Sequence, residues 1–417
     1  MELKRVVVTG LGALTPIGNS YPQFREALLK GVSGANPITK FDPEKFKTKF
    51  ACELKDFNVL EFLDKKEMRK MDAASQLAMI ASMEAVKHSG ILEVSINKER
   101  AGVILGTSIG GMPTLMEPLR EFVLSDGTPR FGPFFVPRVL SDMIPGHVSI
   151  LFGFMGPNYA TTSACASSAN AIIDAYHFIK LGKSDIIVTG GSESCIIEPV
   201  VGGFNSMHAL STRNDDYKTA SRPFDTGRNG FVIGEGAAIL VLEELEHAKR
   251  RGATIYAEIG GGGLSADAYH MTAPHPEGTG AIFSMRHAMI DAGLQPTDID
   301  HINTHGTSTV PGDIAECMAI GKLFGEHTPN IAITSTKSMT GHLLGAAAAA
   351  EAIASIIAVN EDIIPPTINH FETDPALGNV SIVKNIAAQK TVKAAISNSF
   401  GFGGHNASVL FKKYQTE

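Results

Sequence analysis

Cysteine is scarce in this chain: Cys52, Cys165, Cys195 and Cys317 are the only four, and no two stand in a C-x-x-C or similar metal-ligand spacing. That excludes a cysteine-built zinc site or disulfide framework, and a reduced, cytoplasmic setting is expected. Positive charge is also in deficit, with 36 lysines and arginines against 43 acidic residues and a formal net charge of −7. A general nucleic-acid binder is thereby excluded, and an acidic partner would need a local basic patch. The longest apolar stretch, His342–Val359, is dominated by alanine and interrupted by Glu351. It reads as a buried helix rather than a membrane span. The opening MELKRVVVTG passes at once into a strand-like run, so no signal peptide is expected. What remains, 44% hydrophobic and 19% charged residues over 417 positions, is globular. The length admits two core-building units or one large duplicated domain.

One stretch stands out, Ala160–Gly182 (ATTSACASSANAIIDAYHFIKLG). Small residues crowd around Cys165, and a helical pattern then runs to Leu181 and stops at Gly182, with Lys180 in its last turn. A cysteine at a helix start meets unpaired N–H groups and the positive end of the helix dipole. Such a setting can lower a thiol pKa from about 8.5 to roughly 3.5–7.5, which makes a thiolate nucleophile. The competing reading is a small cysteine buried in the core.

Along the chain, Lys4–Gly10 reads as a strand that continues into Gly10-Leu-Gly12-Ala-Leu-Thr15, a near match to a dinucleotide fingerprint. Pro16 and Gly18 block the helix that motif needs, so nucleotide binding is not expected. The first helix follows Ser20, with Pro22 near its start and Gly31 after its end. Ala73–Val86 is a buried helix and Gly102–Thr107 a buried strand. Glycine and proline then recur over residues 109–145, which reads as a long insertion with short elements and a place for partner or substrate contact. Asp185–Gly191 and Ala237–Leu242 are strands, Glu243–Arg251 a charged helix, and Thr254–Ile259 a strand that restarts the pattern.

The second half repeats the first. A helix ending at Gly90 precedes a strand that reaches Gly106-Thr107-Ser108, and a helix ending at Gly293 precedes one that reaches Gly306-Thr307-Ser308. The cysteine helix has its counterpart in Leu344–Val359, and Ala237–Leu242 in Ala407–Phe411. We therefore expect an α/β fold of two duplicated βαβ-rich halves, residues 1–252 and 253–417, each with a mostly parallel sheet. The matching helices should meet at a pseudo-twofold axis, which brings Cys165 close to the segment before Gly345. Candidate partners for the cysteine lie in that second half. His305 follows a strand, His342 lies in Lys337-Ser-Met-Thr-Gly-His342, and Phe400-Gly-Phe402-Gly-Gly404 precedes the last strand. Strand ends are where an α/β sheet presents ligands.

Taken together, TSACASSA around Cys165, NTHGTST around His305, KSMTGHLLGAA around Lys337 and His342, and SNSFGFGGHN near the C-terminal end resemble the β-ketoacyl-acyl-carrier-protein synthases. Within them the chain is most similar to the synthase II type of the dissociated fatty-acid system. The resemblance extends to VVVTGLGALTPIG at the start and RPFDTGRNGFVIGEGA in the middle. It implies a thiolase-like fold, a layered α-β-α-β-α structure, usually as a homodimer, and an acyltransferase with acyl-carrier and malonyl-carrier proteins as partners. No membrane and no resident cofactor are implied, since phosphopantetheine arrives on the carrier.

Carried onto these residues, the resemblance makes Cys165 the acyl acceptor, with its own N–H and that of Phe402 as an oxyanion hole. His305 and His342 become neutral donors to a malonyl enolate. Lys337 holds the constellation, with Glu316 as its expected ion partner. Thr307 and Thr309 meet the phosphopantetheine arm, and Ile109, Phe204, Phe400 and His270 are expected to bind substrate. Phe402 is the gate between the acyl pocket and the malonyl side. Asn303, Glu351, Ser397 and Asn398 match a structural cation site, and Lys65, Lys66, Arg69, Lys70 and Arg130 a docking surface for an acidic carrier. Ala166, Ser168 and His405 depart from residues common in relatives, which leaves chain-length preference and loop motion open.

Rival readings leave different marks. A type II polyketide or polyene ketosynthase shares the same chemistry on other chains. A thiolase needs a second active cysteine in the C-terminal half, and Cys317 sits in a helix-like run instead. The initiating synthase type places asparagine at the position of His342. A non-catalytic chain-length subunit is expected to lack the nucleophile.

Overall fold

The computed structural model describes residues 3–415. Ten strands and six helices carry the duplication. In the first half they are β1 (Val6–Leu14), α1 (Ala73–Ser89), β2 (Ala101–Gly106), α2 (Met143–Phe152), β3 (Asn158–Thr161), α3 (Ser167–Lys180), β4 (Ile186–Glu193) and β5 (Gly236–Glu244). In the second they are β6 (Ala257–Ala266), α4 (Thr279–Ala292), β7 (His301–Asn303), α5 (Val310–Phe324), β8 (Ala332–Thr334), α6 (Ala347–Glu361), β9 (Ala394–Gly401) and β10 (His405–Lys412). The sheet runs β8-β7-β9-β10-β6-β1-β5-β4-β2-β3, with the two-residue strand Ser381–Ile382 added beyond β8. Read outward from the β6–β1 junction, both halves place their strands in the same order.

Alternate residues of each strand face opposite layers. Ile104, Ile187 and Leu240 face the central layer of α3 and α6, together with Ala407, Val409 and Phe411 from the second half. Val103, Val188 and Ile239 pack under α1 and α2, and Ile302, Ile333 and Ile396 under α4 and α5. The result is the expected α-β-α-β-α layering. The helix limits were also legible. Ser20 caps Tyr21–Lys30 and Gly31 closes it in the left-handed region, while α3 ends at Lys180 before Gly182.

Three expectations need correction. The sheet halves are mixed: only β2, β3 and β4, and their counterparts β7, β8 and β9, run parallel. The β5–β1 and β10–β6 pairs are antiparallel, and β9 turns directly into β10 through Phe402–Gly404. A tight hairpin can join only antiparallel strands, and the glycine-rich turn that signals it was visible. Second, Glu243 belongs to β5 and not to the charged helix. It is buried and bonded to Arg251, His247 and Thr9, and the helix that follows is Leu245–Arg250. Third, β6 starts later than expected and continues through Gly260–Gly263.

Those glycines explain the apparent nucleotide motif. Gly10 and Gly12 lie inside β1, where a Cβ would come within 2.3 and 2.2 Å of the Ala85 and Ala81 carbonyl oxygens of α1. Gly261 and Gly263 of β6 meet α4 in the same way, at 2.3 and 1.9 Å from the Ala288 and Ser284 carbonyl oxygens. The glycine pairs serve close helix–strand packing in both halves, not phosphate binding.

The segment 109–145 is more helical than expected, with Met112–Leu124 running across Pro118 and a short helix Phe135–Val139. β3, against which α2 packs, is an edge strand, and Ile150 of α2 is exposed, as are Val123, Leu124 and Val136 of the segment. Among the described residues one stretch, Leu344–Glu361, is apolar and long enough to cross a membrane, but 89% of it is buried inside the fold. It is the core helix expected from the interrupted alanine run.

Candidate active site

Cys165 lies two residues before α3, in a turn that the sequence makes with small residues. Ala164 takes a left-handed φ of 50°, a conformation that persists only when its surroundings enforce it. Here Ser163 N donates to Ser167 Oγ (2.9 Å), Ser167 Oγ donates to Ala164 O (2.7 Å), and Ser399 Oγ donates to Cys165 O (2.7 Å). Gly401 of β9 comes so close that a Cβ there would lie 2.7 Å from Ser163 O and 3.1 Å from Cys165 N. The second half thus presses its last hairpin against the cysteine turn, and the Phe402 backbone N–H hydrogen-bonds to the Cys165 sulfur.

His342 is placed by main-chain pairing with the 232–234 segment: its N–H donates to Val232 O (2.7 Å) and its carbonyl accepts from Gly234 N (2.9 Å). Its Nε2 lies 3.0 Å from Cys165 Sγ, and Phe231 packs edge-on against its ring at 5.3 Å. His305, two residues beyond β7, stands at 84° to His342 with ring centroids 5.3 Å apart. Burial, then the Lys337 ammonium, holds both imidazoles well below the usual histidine range. They are neutral at physiological pH, as expected for hydrogen-bond donors.

The thiol departs from expectation. Burial pushes Cys165 up to about 11, and the Lys337 charge and the Phe402 N–H only partly oppose it. The helix start alone therefore does not supply a standing thiolate. The proton acceptor at hand is His342.

Lys337 is also corrected. Its Nζ pairs with Glu351 Oε1 of α6 at 2.5 Å, and both side chains are buried. Glu316 instead accepts from His305 N (2.9 Å), Gly306 N (2.8 Å) and Asn398 Nδ2 (3.2 Å). It shapes the turn that carries His305. Glu351, read from sequence as a cation ligand, is the lysine's counter-charge, and burial raises it to about 7.

These groups open into one cavity of about 680 Å³. Cys165, His305 and His342 line it together with Phe400, Phe402 and the threonines Thr307 and Thr309, whose hydroxyls lie 2.9 Å apart. Ile109, Phe204, Phe231 and Leu344 form an apolar part of the wall. His270 does not line it. Its Nδ1 accepts from Thr272 N and Ala273 N, both at 3.1 Å, so it braces a loop whose next residues reach the cavity. Lys65 and Lys66 are exposed on the short helix Lys65–Met68, Arg69 is exposed just after it, and Lys70 beyond pairs with Glu67. Arg130 is exposed beside Asp126.

For metals, the ligand atoms of Cys165, His305 and His342 lie within 4.8 Å of one another, but the Lys337 charge beside them opposes a cation there. The set Asn303, Glu351, Ser397 and Asn398 fits an oxygen-bound cation in part. Asn303 Oδ1 and Glu351 Oε2 are buried without a hydrogen-bond partner among the described residues, as a hard cation would require, whereas Asn398 Oδ1 already accepts from Ser408 at 2.8 Å.

Sequence reasoning missed three contributors: Phe231, Ser399 and Glu193. Each acts through a contact distant in sequence, and nothing in its local motif marks it.

Comparison with known proteins agrees with this geometry. Residues 3–248 match the model of the β-ketoacyl synthase N-terminal domain, and residues 256–371 that of the C-terminal domain. The chain is 48% identical over 413 residues, 99% of each chain, to 3-oxoacyl-[acyl-carrier-protein] synthase 2 of Staphylococcus aureus (strain COL). A solved structure described as the ishigamide ketosynthase/chain length factor superposes with a TM-score of 0.93 at 34% identity, covering 99% of this chain and 100% of that one. A type II polyketide ketosynthase, AntDE, in complex with its acyl-carrier protein AntF, gives 0.91 at 29% identity, again over 99% and 100%. With both domain models matched and a near-half-identical relative along its whole length, the chain belongs to the β-ketoacyl synthase family.

Proposed function

We propose that the protein is a 3-oxoacyl-acyl-carrier-protein synthase of the second type, which elongates acyl chains in fatty-acid synthesis. The observation that carries this reading is the Cys165 sulfur 3.0 Å from His342 Nε2, with His305 at right angles beside it in the same cavity.

Cys165 attacks the thioester carbonyl of an acyl carrier. The sulfur–carbonyl bond to the carrier breaks, and the thiol proton passes through His342 to the departing carrier thiol. The N–H groups of Cys165 and Phe402 meet the oxyanion; one such donor is worth about 2.7–4 kcal/mol in enzymes where it has been removed. Malonyl carrier then loses carbon dioxide. The electron pair of the broken bond becomes an enolate, and His305 and His342 donate to its oxygen. The enolate carbon attacks the Cys165 thioester, the carbon–sulfur bond breaks, and the thiolate, which now carries the charge of the lost carboxylate, takes up a proton from solvent. The product is a 3-oxoacyl carrier two carbons longer. The His342 Nε2 that faces the sulfur can accept the thiol proton in one tautomer and donate in the other.

The identity of 48% to a 3-oxoacyl-[acyl-carrier-protein] synthase 2, against 29% to a type II polyketide ketosynthase, supports the fatty-acid pathway. The AntDE neighbour, seen with its carrier protein, supports carrier-borne substrates here, and the basic Lys65–Lys70 cluster and Arg130 offer a docking face for an acidic carrier. Thr307 and Thr309 take the pantetheine arm, and Ile109 and Phe204 the acyl chain. The exposed edge strand β3 and the apolar residues beside it suit a homodimer that continues the sheet. A cation held by Asn303 and Glu351 would serve structure only. The cytoplasm is the fitting compartment.

Malonyl-dependent elongation of acyl carriers of graded length and unsaturation tests the reading. Saturated and monounsaturated products extended by one unit support it; polyenes or repeated β-keto products overturn it in favour of the polyketide or polyene pathway.

A further inference from the structure

Glu193, the last residue of β4, is fully buried and belongs to neither set of reacting groups. Its carboxylate accepts from Thr107 Oγ1 (3.2 Å), Ser108 N (2.7 Å), Ser108 Oγ, Ile109 N and Gly110 N (both 3.3 Å) and Gly345 N (3.1 Å). The donors are four backbone amides and two hydroxyls, with no cation among them. Each carboxylate oxygen faces at least one backbone N–H, which cannot be turned around. An amide in the same place would point N–H groups at backbone N–H donors, so the bonding pattern suits a carboxyl group and not an amide. Burial, the largest influence, raises the carboxyl above its ordinary range, and these donors lower it in part.

The grip joins the two halves. Ser108–Gly110 follow β2 in the first half, and Gly345 precedes α6 in the second. The fit is close: a Cβ on Gly345 would lie 2.4 Å from Ser108 N and 2.6 Å from Glu193 Oε2. The preceding Leu344 takes a left-handed φ of 47°, a strained conformation for a branched side chain. Two side chains of the gripped segments, Ile109 and Leu344, form the apolar wall of the cavity together with Phe204.

We propose that Glu193 is a positioning residue for acyl-chain selection: it fixes Ile109 and Leu344, one from each half, against each other and so sets which acyl chains fit beyond Cys165. The proposal rests on the ketosynthase reading above. Acyl chains long enough to reach Ile109 and Leu344 depend on the grip, and an acetyl group on Cys165 does not.

The test is kcat/KM for elongation of acyl carriers from acetyl to palmitoyl by the wild type, Glu193→Gln and Ser108→Ala. Losing a charge-assisted bond to a buried group typically costs a factor of about ten or more. Glu193→Gln should therefore lower kcat/KM for long chains about tenfold more than for acetyl, carried by KM, and Ser108→Ala should do the same to a smaller degree. If Glu193→Gln does not fold, as judged by thermal melting, Ser108→Ala alone decides. A fall by the same factor at every chain length overturns the proposal and leaves Glu193 a purely structural residue. A wild type that elongates no acyl carrier instead removes the ketosynthase reading, and the proposal with it.

Discussion

The two halves of this molecule share strand order, glycine-paired packing of the first strand and a Gly-Thr-Ser turn after the second, yet they carry different chemistry. In the first half the turn is preceded by Leu105, fully buried in the core, and in the second by His305, which lines the cavity. The approach to α3 carries Cys165, and the matching approach to α6 carries His342. Each Gly-Thr-Ser turn is held by buried carboxylates, Glu193 in one half and Asp313 with Glu316 in the other. The carboxylates come from different elements, β4 in one case and α5 in the other. The fold thus supplies equivalent strand-end positions around one axis, and the residues placed there divide the work. The first half presents the nucleophile and most of the acyl wall (Ile109, Phe204, Phe231), and the second the imidazoles, the buried lysine, the Phe402 amide and Leu344 of that wall.

That division can be broken at several points. Replacing His305 or His342 with alanine should lower malonyl decarboxylation, read as carbon dioxide release, by about 10²–10⁴-fold; His305→Ala should leave acyl loading unchanged, and His342→Ala, which also removes the proton acceptor of the thiol, should slow loading without abolishing it. Loss of loading with intact decarboxylation would reverse the assignment of the halves. Lys337→Met leaves Glu351 buried without its counter-charge, and denaturant unfolding should show a loss of about 3–5 kcal/mol. The double variant Lys337→Met/Glu351→Leu should recover most of that stability. A double variant no more stable than the single one would mean that the pair is not what holds α6 in place.

Two smaller effects sharpen the comparison. Because burial raises the Cys165 thiol to about 11, the thiolate fraction grows as pH rises, and alkylation of Cys165 by iodoacetamide should keep accelerating beyond about pH 9. A plateau below about pH 8 would restore the helix start as the activating feature. The imidazoles lie on the other side of neutrality, held low by burial, so decarboxylation should show no loss between about pH 7.5 and pH 6.5, where an unperturbed histidine begins to take up a proton. Smallest is docking: reversing Lys65 and Lys66 to glutamate should weaken kcat/KM for carrier-bound substrate severalfold, with reduced salt dependence, since surface charges act mainly on association. An unchanged salt dependence would place the carrier elsewhere.

Much of this was legible in the sequence, and the boundary is physical. Helix ends marked by Ser20, Gly31, Gly90, Gly182 and Gly293 are local events, set by residues within one turn of each other, and they fell where the caps said. The duplication was legible for the same reason, because repeated caps and turns recur in order. Cys165, His305 and His342 were found through motifs and are brought together by the fold. Contacts between distant segments were not legible. Glu316 and Glu351 are both carboxylates on helices of the second half, and spacing cannot decide which of them meets Lys337. The Glu193 grip joins residues from three separate stretches, so no local pattern marks it. The thiol was misjudged because the helix start shows in the sequence while the surrounding burial does not. The antiparallel strands were missed although Phe402–Gly404 carried the turn signal, because the βαβ pattern was extended over the whole half.

The claim that the first half holds the acyl group and the second activates the malonyl group is tested most directly by intact-protein mass spectrometry. Wild type, Cys165→Ala, and the His305→Ala/His342→Ala pair would be incubated with acyl carrier, and each then given malonyl carrier. The account predicts an acyl adduct on the wild type that disappears when malonyl carrier is added. It predicts no adduct on Cys165→Ala, and on the histidine variant an adduct that forms more slowly, for want of His342, and then persists. An acylated Cys165→Ala protein, or a histidine variant that clears its adduct as fast as the wild type, would contradict it.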